Sequence, residues 1–354
     1  GLFREVVNGA SITADAADDS LPVNVVMAND TLLFSGGVSN STIKFECGSD
    51  LVRFSELVAT TRILATATTD LGLSGANDTV TFDRVGAGST IRAGSGADSL
   101  LFDQAVTRAT IDAGTGIDRL VFLSTSDAVV SGISSVGEFV SFGSGQVTAQ
   151  FVDATISSSS IFGGASQDSL VFLGAVLANT IDAGAGGDTL RFNGAFNGVL
   201  SGLYSSSEVV SFGAGVTVAF DSDIGTGSTI LSGDGRDSLM FRQRVDGSSI
   251  KTGALADTLV FNGISMLGAS IGGGNGDDQF SVAITVGSGG VSFWGGAGND
   301  TFNISALSSA SGQTSYFWNE AGNDSLVFGN VVSASGGSAN VLLAISSGSS
   351  SVVS

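Results

Sequence analysis

Two nine-residue windows in the sequence place glycine and aspartate at a spacing that could bind a cation. They read GGNGDDQFS from Gly273 to Ser281 and GGAGNDTFN from Gly295 to Asn303. Glycine tolerates positive φ and so allows a tight turn with accessible backbone carbonyls, while the aspartate adds a carboxylate. Carbonyl and carboxylate oxygens are the ligands that Ca²⁺ takes in proteins, so both windows indicate a calcium-binding turn.

The aspartate at the sixth position of each window opens a phrase that recurs along the chain. In its regular form the phrase is an acid, a small residue, an apolar residue, any residue and then Phe. Its fourteen copies begin at Asp30, Asp50, Asp78, Asp98, Asp118, Glu138, Asp168, Asp188, Glu208, Asp237, Asp257, Asp278, Asp300 and Asp324. Most successive acids are 20 to 24 residues apart, and the steps that follow Asp50, Glu138 and Glu208 hold 8 to 10 extra residues. We interpret the extra residues as insertions, and those after Phe142 and Phe212 as a short extra strand or a β-arm.

Side-chain parity predicts that the phrase is a β-strand. In the copy DTLRF, Asp188, Leu190 and Phe192 share one face, and Thr189 and Arg191 share the other. This period of two is typical of a strand, and the Phe face is predicted to be core because the charged face needs solvent. A second apolar position, most often Ile, lies seven residues before the acid and predicts a second strand. A Gly-rich turn joins the two strands.

A repeat of this length cannot bury a core alone, but stacked copies can, since each copy pairs its strands with those of the next. The sequence therefore predicts an all-β protein, a single elongated parallel β-solenoid of about 14 rungs. We expect a right-handed solenoid, as parallel β connections are right-handed. Residues 1–26 are expected to form an N-terminal cap or linker, residues 27–330 the solenoid, and residues 331–354 a last rung, a cap or a junction. The constant period disfavours the rival fold, a two-sheet sandwich of hairpins.

The composition argues against several functions. The 354 residues include 33 acidic and 13 basic side chains, no His and one Cys, with a formal net charge of −20. Without His there is no His-based acid–base catalysis, no Ser–His–Asp triad and no His–zinc site. The lone Cys47 is interpreted as a buried or half-buried thiol rather than a nucleophile, since no His is present to activate it. The acidic balance argues against nucleic-acid binding, and no apolar run is long enough to span a membrane.

Both windows fit the pattern GGxGxDxUx, and in this the sequence resembles the RTX, or hemolysin-type calcium-binding, repeat proteins. In that family Ca²⁺ lies between successive Gly–Asp turns on the same side of a β-roll. The resemblance therefore implies calcium sites where matching turns are neighbours, with these residues: Gly94, Gly96, Asp98, Gly114, Gly116, Asp118, Asp168, Gly184, Gly186, Asp188, Gly274, Gly276, Asp278, Gly296, Gly298, Asp300 and Asp324. The family has two nine-residue units per coil, whereas most of this chain has one acid phrase per 20 residues. A full double row of calcium ions is therefore not implied.

A metal-free role for the acids is the alternative. An Asp at the end of a Gly-rich turn can accept hydrogen bonds from backbone N–H groups, and a column of such turns needs no cation. Carboxylates one rung apart repel each other by about 1 kcal/mol per close pair even in water, and a divalent cation would relieve that repulsion. The calcium-binding hypothesis and the metal-free hypothesis therefore rest on the same acidic residues.

Some β-solenoids are hydrolases, and two carboxylate pairs could serve such chemistry. Asp221 with Asp223, or Asp277 with Asp278, are the candidates. Solvated turn acids explain both pairs more simply, because no part of the chain gathers other polar side chains around them. The sequence therefore predicts that the protein is not an enzyme.

These features together predict a secreted structural protein. We expect a calcium-stabilised β-solenoid rod at the cell surface, as part of a bacterial surface layer (S-layer), a surface filament or a large adhesin. Its expected partners are further copies of itself and cell-surface glycans. Trp294 and Trp318 could stack on sugar rings, or pack against neighbouring side chains or another subunit. The alternatives are a phage tail fibre or tailspike that attaches to a host, and a polysaccharide-degrading β-solenoid enzyme.

Overall fold

The computed structural model describes residues 77–310 and 312–329 continuously, together with residues 11–14, 22–25, 31–35, 37–39, 42–45, 49, 51–59, 61–65, 333–335, 340–347 and 351–353. Every regular element in these residues is a β-strand, and the strands pair in parallel. They form a parallel β-solenoid of about 13 turns, which confirms the predicted fold class. None of the described residues forms a helix that could cross a membrane.

The chain divides into two compact units, Gly1–Thr180 and Ile181–Ser354. The first unit contains β1 (Ser11–Ala14), β2 (Pro22–Val25), β3 (Thr31–Phe34), β4 (Val38–Ser39), β5 (Thr42–Phe45), β6 (Leu51–Ala59), β7 (Arg62–Ala65), β8 (Thr79–Val85), β9 (Thr90–Arg92), β10 (Ser99–Phe102), β11 (Val106–Asp112), β12 (Arg119–Phe122), β13 (Ser126–Ser131), β14 (Phe139–Phe142), β15 (Val147–Phe151), β16 (Thr155–Ser157), β17 (Ser160–Phe162), β18 (Ser169–Phe172) and most of β19 (Ala175–Asp182). The second unit contains β20 (Thr189–Phe192), β21 (Phe196–Ser201), β22 (Val209–Phe212), β23 (Val216–Phe220), β24 (Thr229–Leu231), β25 (Ser238–Phe241), β26 (Val245–Asp246), β27 (Ser249–Ala254), β28 (Thr258–Leu267), β29 (Ser270–Asn275), β30 (Gln279–Val286), β31 (Val291–Ala297), β32 (Thr301–Ala310), β33 (Thr314–Ala321), β34 (Ser325–Phe328), β35 (Ser333–Ser335), β36 (Asn340–Ser347) and β37 (Ser351–Val353).

Side chains alternate between core and solvent along the strands, as the parity of the acid phrase predicts. In β20, Leu190 and Phe192 are buried, while Thr189 and Arg191 are exposed. The predicted second strand follows the same rule, since Ile111 of β11 is fully buried. The apolar positions of both strands therefore form the core of each unit.

Columns of stacked Phe rings fill the core. In the first unit the ring centroid of Phe102 lies 5.1 Å from that of Phe82. In the second unit the ring of Phe241 lies 4.7 Å from Phe220 and 4.8 Å from Phe261. These distances match the separation of about 4.8 Å between hydrogen-bonded strands, so one ring per turn fills a column without a gap.

Strands of successive turns that pair with one another form a strand column, and the acid phrase moves from one strand column to another within the first unit. β10, β12 and β14 carry the phrases of Asp98, Asp118 and Glu138 and pair in one column, which continues to β17. β18 carries the phrase of Asp168 but pairs with β15, and through it with β13, in the other column. The long step from Glu138 to Asp168 is therefore one and a half turns. Residues 147–151, which were expected to be part of an insertion with a short extra strand or a β-arm, form β15, a regular strand of this column.

The second unit repeats this change of column. β20 and β22 carry the phrases of Asp188 and Glu208 and pair in a column that continues to β24. β25 carries the phrase of Asp237 and pairs instead with β23. The residues after Phe212 thus supply β23 as a regular strand, and the phrase moves by half a turn.

The long step after Asp50 is different, because the phrase keeps its column there. Phe54 of β6 is in register with Phe82 of β8, and Ile63 of β7 is in register with Ile91 of β9. The extra residues fall between β7 and β8, where residues 66–76 lie outside the described part of the chain.

Strands near both ends of the chain join the same ladders. β1 and β2 lie within residues 1–26 and pair with β3 and β5. Within residues 331–354, β35, β36 and β37 pair with β32, β33 and β34. Both segments therefore contribute strands to the solenoid.

Candidate metal-binding turns

Ten of the phrase acids in the described part of the chain accept a hydrogen bond from the backbone of the preceding turn. In the first unit the N–H of Asp78 donates to Oδ1 of Asp98, and the N–H of Asp98 donates to Oδ1 of Asp118, each across 2.8 Å. The N–H of Asp118 donates to Oε2 of Glu138 at 2.7 Å. We call these columns of buried acids, each accepting from the N–H one turn earlier, the acid ladders.

A second acid ladder, with five acids among the described residues, lies in the second unit. The N–H of Asp237 donates to Oδ1 of Asp257 at 2.8 Å, and the N–H of Asp257 donates to Oδ1 of Asp278 at 2.9 Å. The same bond joins Asp278 to Asp300 at 3.0 Å and Asp300 to Asp324 at 2.9 Å. None of these five acids is more than 3% exposed. Each carboxyl group therefore satisfies a buried backbone donor at a corner of the solenoid, as the metal-free hypothesis requires.

Neutral side chains continue the columns where the acids stop. Beyond Glu138 the column holds Ser159 and then Asn179, whose Oδ1 accepts the N–H of Ser159 at 2.7 Å. In the second unit the N–H of Glu208 donates to Oγ of Ser228 at 3.1 Å. The corner bond thus needs no charge. The sequence analysis missed these residues because they lack the Phe phrase, although their offsets of 21 and 20 residues from Glu138 and Glu208 were visible.

The second carboxylate oxygen divides the acids into two groups. In Asp168, Oδ2 accepts the N–H of Gly164 at 2.7 Å, and in Asp237 it accepts the Ser232 hydroxyl at 2.5 Å. In the other group this oxygen is buried and meets no donor among the described residues; the group contains Asp98, Asp118, Asp278 and Asp300. A buried oxygen without a donor is costly unless a proton or a cation joins it.

Burial raises the pKa of the ladder carboxyl groups, because the ionised form loses its hydration. The pKa rises to about 7 at Asp98, Glu138 and Asp278, and to about 8 at Glu208. The backbone N–H from the preceding turn opposes the rise in each case, and neighbouring acids add to it. Near neutral pH a proton and a cation would therefore compete for the second oxygen.

The glycines predicted as ligands shape the turns through their backbone. Gly296 and Gly298 have φ of 102° and 139°, a region that side chains disfavour. A Cβ on Gly298 would collide with the carbonyl oxygen of Gly276 on the preceding turn, and a Cβ on Gly296 with that of Gly274. The other predicted pairs share positive φ: Gly94 with Gly96, Gly114 with Gly116, Gly184 with Gly186, and Gly274 with Gly276. Close stacking of the turns therefore requires these glycines with or without a metal.

The two windows leave a cradle beside the second oxygen. A Cβ on Gly273 would collide with Oδ2 of Asp278 and would lie 2.7 Å from the carbonyl oxygen of Gly295 on the next turn. A Cβ on Gly295 would likewise collide with Oδ2 of Asp300. The first cradle is thus bordered by a carboxylate oxygen and a carbonyl oxygen from successive turns, which are the donors that Ca²⁺ takes. The oxygens beside Gly273 are therefore of the kind that a calcium ion would take, whereas beside Gly295 the nearest atoms all belong to Asp300.

Three of the other predicted sites lack this cradle, because Ala93, Ala113 and Ala183 fill the corresponding position, five residues before Asp98, Asp118 and Asp188, and are buried. A glycine precedes Asp168 at the same distance, but there Oδ2 already accepts the N–H of Gly164. The predicted acid ligands are all buried: Asp98, Asp118, Asp168, Asp188, Asp278, Asp300 and Asp324. In the described part of the chain no three acidic side chains form a group that could hold a metal ion. Backbone carbonyls would therefore have to complete any ligand set.

The carboxylate pairs considered for hydrolysis are engaged separately. Asp221 accepts a hydrogen bond from an arginine side chain at 3.3 Å, and Asp223 accepts one from a backbone N–H at 3.0 Å. Asp277 is exposed and accepts a backbone N–H at 2.7 Å, whereas the neighbouring Asp278 is buried in the acid ladder. The side chain of Cys47 lies outside the described residues.

No family model, no curated protein and no solved structure matches the chain. A function can therefore be inferred only from the geometry of the acid ladders and of the glycine turns. That geometry by itself identifies a repeat protein with a parallel β-solenoid fold.

Proposed function

We propose that this protein is a non-enzymatic extracellular structural protein, a calcium-stabilised β-solenoid of a surface layer, a surface filament or a large adhesin of the RTX type. The observation that carries the proposal is the cradle beside Gly273, where Oδ2 of Asp278 and the carbonyl oxygen of Gly295 border one space. A calcium ion there would supply the positive charge that the buried carboxylate lacks.

The acid ladder lets one carboxyl group serve two purposes. In Asp278 and Asp300, Oδ1 is held by the N–H of the preceding turn, which leaves Oδ2 for the cation. The glycine turns add backbone carbonyls. Because the oxygens come from successive turns, a bound cation would join those turns, and its binding energy would add to the stability of the solenoid.

A calcium requirement suits a structural protein outside the cell. Extracellular calcium modules bind with dissociation constants of about 10⁻⁴ to 10⁻³ M, and a ligand at 100 times its dissociation constant stabilises the folded state by about 2.7 kcal/mol. Such a protein stays folded where calcium is plentiful. Assembly with further copies, in a filament or a surface lattice, belongs to the same proposal.

Thermal unfolding followed by circular dichroism tests the proposal, first in EDTA and then with increasing Ca²⁺. We expect the unfolding temperature to rise with Ca²⁺, and Asp278→Asn combined with Asp300→Asn to remove most of that rise. Asp168→Asn is the matched control, since both oxygens of Asp168 already accept backbone N–H groups. It should lower stability equally in EDTA and in Ca²⁺. Identical unfolding curves in EDTA and in Ca²⁺ would refute the calcium proposal.

A further inference from the structure

Three aromatic side chains form a cluster on the outward side of the second unit. Trp294 of β31 is in register with Trp318 of β33, and their ring centroids are 5.1 Å apart. The ring of Tyr316 lies 5.6 Å from that of Trp318. All three are half buried, whereas Phe293 and its counterparts in the core are fully buried. The cluster therefore exposes part of its aromatic surface to solvent, unlike the buried Phe columns of the core.

The turn before Trp294 leaves a gap in this outward column. Gly272 of β29 is in register with Trp294, and no atom lies within 4 Å of a Cβ built on it. Its φ lies outside the left-handed region, so the backbone would accept a side chain there. We call the open space over Gly272, beside the indole of Trp294, the Gly272 notch. The notch takes the place of one side chain in this column, where successive strands are about 4.8 Å apart.

A cation bounds the notch on its other side. Lys251 of β27 is in register with Gly272 and is exposed. Among the described residues no carboxylate lies within ion-pairing distance of its ammonium group. Lys251 and Trp294 are two strand spacings apart, about 9.6 Å, with the notch between them.

Hydroxyl groups flank the notch. Ser270 precedes Gly272 by two residues and therefore lies on the same side of its strand, in register with Ser249 and Ser292 of the neighbouring turns. All three serines are half buried. An aromatic side chain, an ammonium group and a row of hydroxyls are thus arranged around one open space.

We propose that the Gly272 notch binds a uronic-acid unit of an acidic polysaccharide. The pyranose ring would stack on the indole of Trp294, as apolar faces do on aromatic rings. Its carboxylate would pair with the ammonium group of Lys251, and its hydroxyl groups would bond Ser270 and Ser292. The notch uses none of the oxygens proposed to bind calcium, because its side chains lie on the outward face of β27, β29 and β31.

Tryptophan fluorescence reports on this site alone, since the chain has two Trp residues and both belong to the cluster. The experiment titrates trigalacturonate, with the neutral galactose trimer as the comparison ligand, in Ca²⁺ and again in EDTA. Saturation-transfer NMR of the ligand provides a second readout. We expect saturable binding of trigalacturonate that is about fivefold tighter than that of the neutral trimer.

Three variants assign the binding to the notch. Lys251→Met should remove the preference for the charged trimer, and Trp294→Ala should weaken binding about tenfold. Gly272→Leu should fill the notch and abolish binding while the circular dichroism spectrum stays unchanged. Ser281→Leu, on the exposed face of β30, adds the same side chain elsewhere and should bind as the wild type does.

Equal affinity for the two trimers would overturn the proposal, and so would wild-type binding by Gly272→Leu or no binding of trigalacturonate by either readout. A Gly272→Leu variant that dissociates a dimer in sedimentation would identify a second copy of the chain as the occupant and would also overturn it. The calcium proposal is measured by unfolding temperature, so the two proposals fail independently.

Discussion

The backbone N–H of Asp98 donates to Oδ1 of Asp118 across 2.8 Å, while Oδ2 of the same carboxyl group is buried without a donor among the described residues. One oxygen therefore satisfies the solenoid backbone, and the other makes ionisation of the group unfavourable. This division of roles repeats along the acid ladders. It makes the stability of the protein depend on what occupies the second oxygen.

Stability should fall as the pH rises towards neutrality when no divalent cation is present. Burial raises the pKa of Asp98 and Asp278 from 3.8 to about 7, so the folded protein holds these protons more tightly than the unfolded chain does. The stability they contribute is fully present below pH 3.8 and is lost as the pH rises through about 7. Unfolding temperatures measured in EDTA should therefore decrease from pH 5 to pH 8. An increase in the unfolding temperature over this pH range would show that ionisation of the ladder acids does not destabilise the folded protein.

A neutral amide should replace a ladder acid at little cost at pH 8. Asn179 already fills a ladder position and accepts the N–H of Ser159 at 2.7 Å. Asp118→Asn should therefore keep the bond from Asp98, change the free energy of unfolding by less than about 1 kcal/mol, and weaken the pH dependence. Asp118→Ala leaves the N–H of Asp98 without an acceptor and should cost about 1–3 kcal/mol. Urea unfolding of both variants at pH 5 and pH 8 tests this, and equal losses would contradict it.

The stacked Phe columns should account for a large share of the stability. Phe241 lies between Phe220 and Phe261, and its side chain is almost fully buried. Phe241→Ala should lower the free energy of unfolding by about 3–5 kcal/mol, since it leaves a cavity between two rings. Met240 precedes it on the opposite face, 40% exposed, and Met240→Ala should change stability by less than about 0.5 kcal/mol. Similar losses for the two variants in urea unfolding would mean that the core adjusts around the missing ring.

Two glycines on successive turns should respond in opposite ways to the same substitution. Gly298 has φ of 139°, and a Cβ there would collide with a carbonyl of the preceding turn. Gly298→Ala should therefore cost at least about 1–3 kcal/mol. Gly272 has ordinary φ and open space, so Gly272→Ala should be neutral or stabilise by up to about 1 kcal/mol. Thermal unfolding of the pair is the measurement, and a loss at Gly272 as large as at Gly298 would contradict this account.

Much of the fold could be predicted because one phrase encodes a strand, its buried face and the turn before it. The parity of Asp188, Leu190 and Phe192 placed all three on the buried side, and the structure confirms it. The change of strand column after Glu138 could not be predicted in the same way. Both strands of a turn accept the same apolar pattern, so a step of one and a half turns resembles an insertion until the pairing of β15 with β18 is known.

The candidate site was only partly visible in the sequence. The GGxGxDxUx windows mark the glycine turns, but the pattern alone does not show what its first glycine does. That position, five residues before the acid, is Gly273 before Asp278 and Ala93 before Asp98. A side chain at this position would meet Oδ2 of the acid in the same turn, and this contact becomes visible only in the folded structure.

Because the acid phrase changes strand column after Glu138 and after Glu208, the structural module of the chain is half a turn rather than a whole repeat. The two halves of a turn are interchangeable, so a duplication or deletion of half a turn leaves every later strand paired and only transfers the acids to the opposite side. The length of the solenoid and the side on which a given turn lies can thus change together, by half a turn at a time. A designer could use the same joints to place a chosen turn on either side of the solenoid.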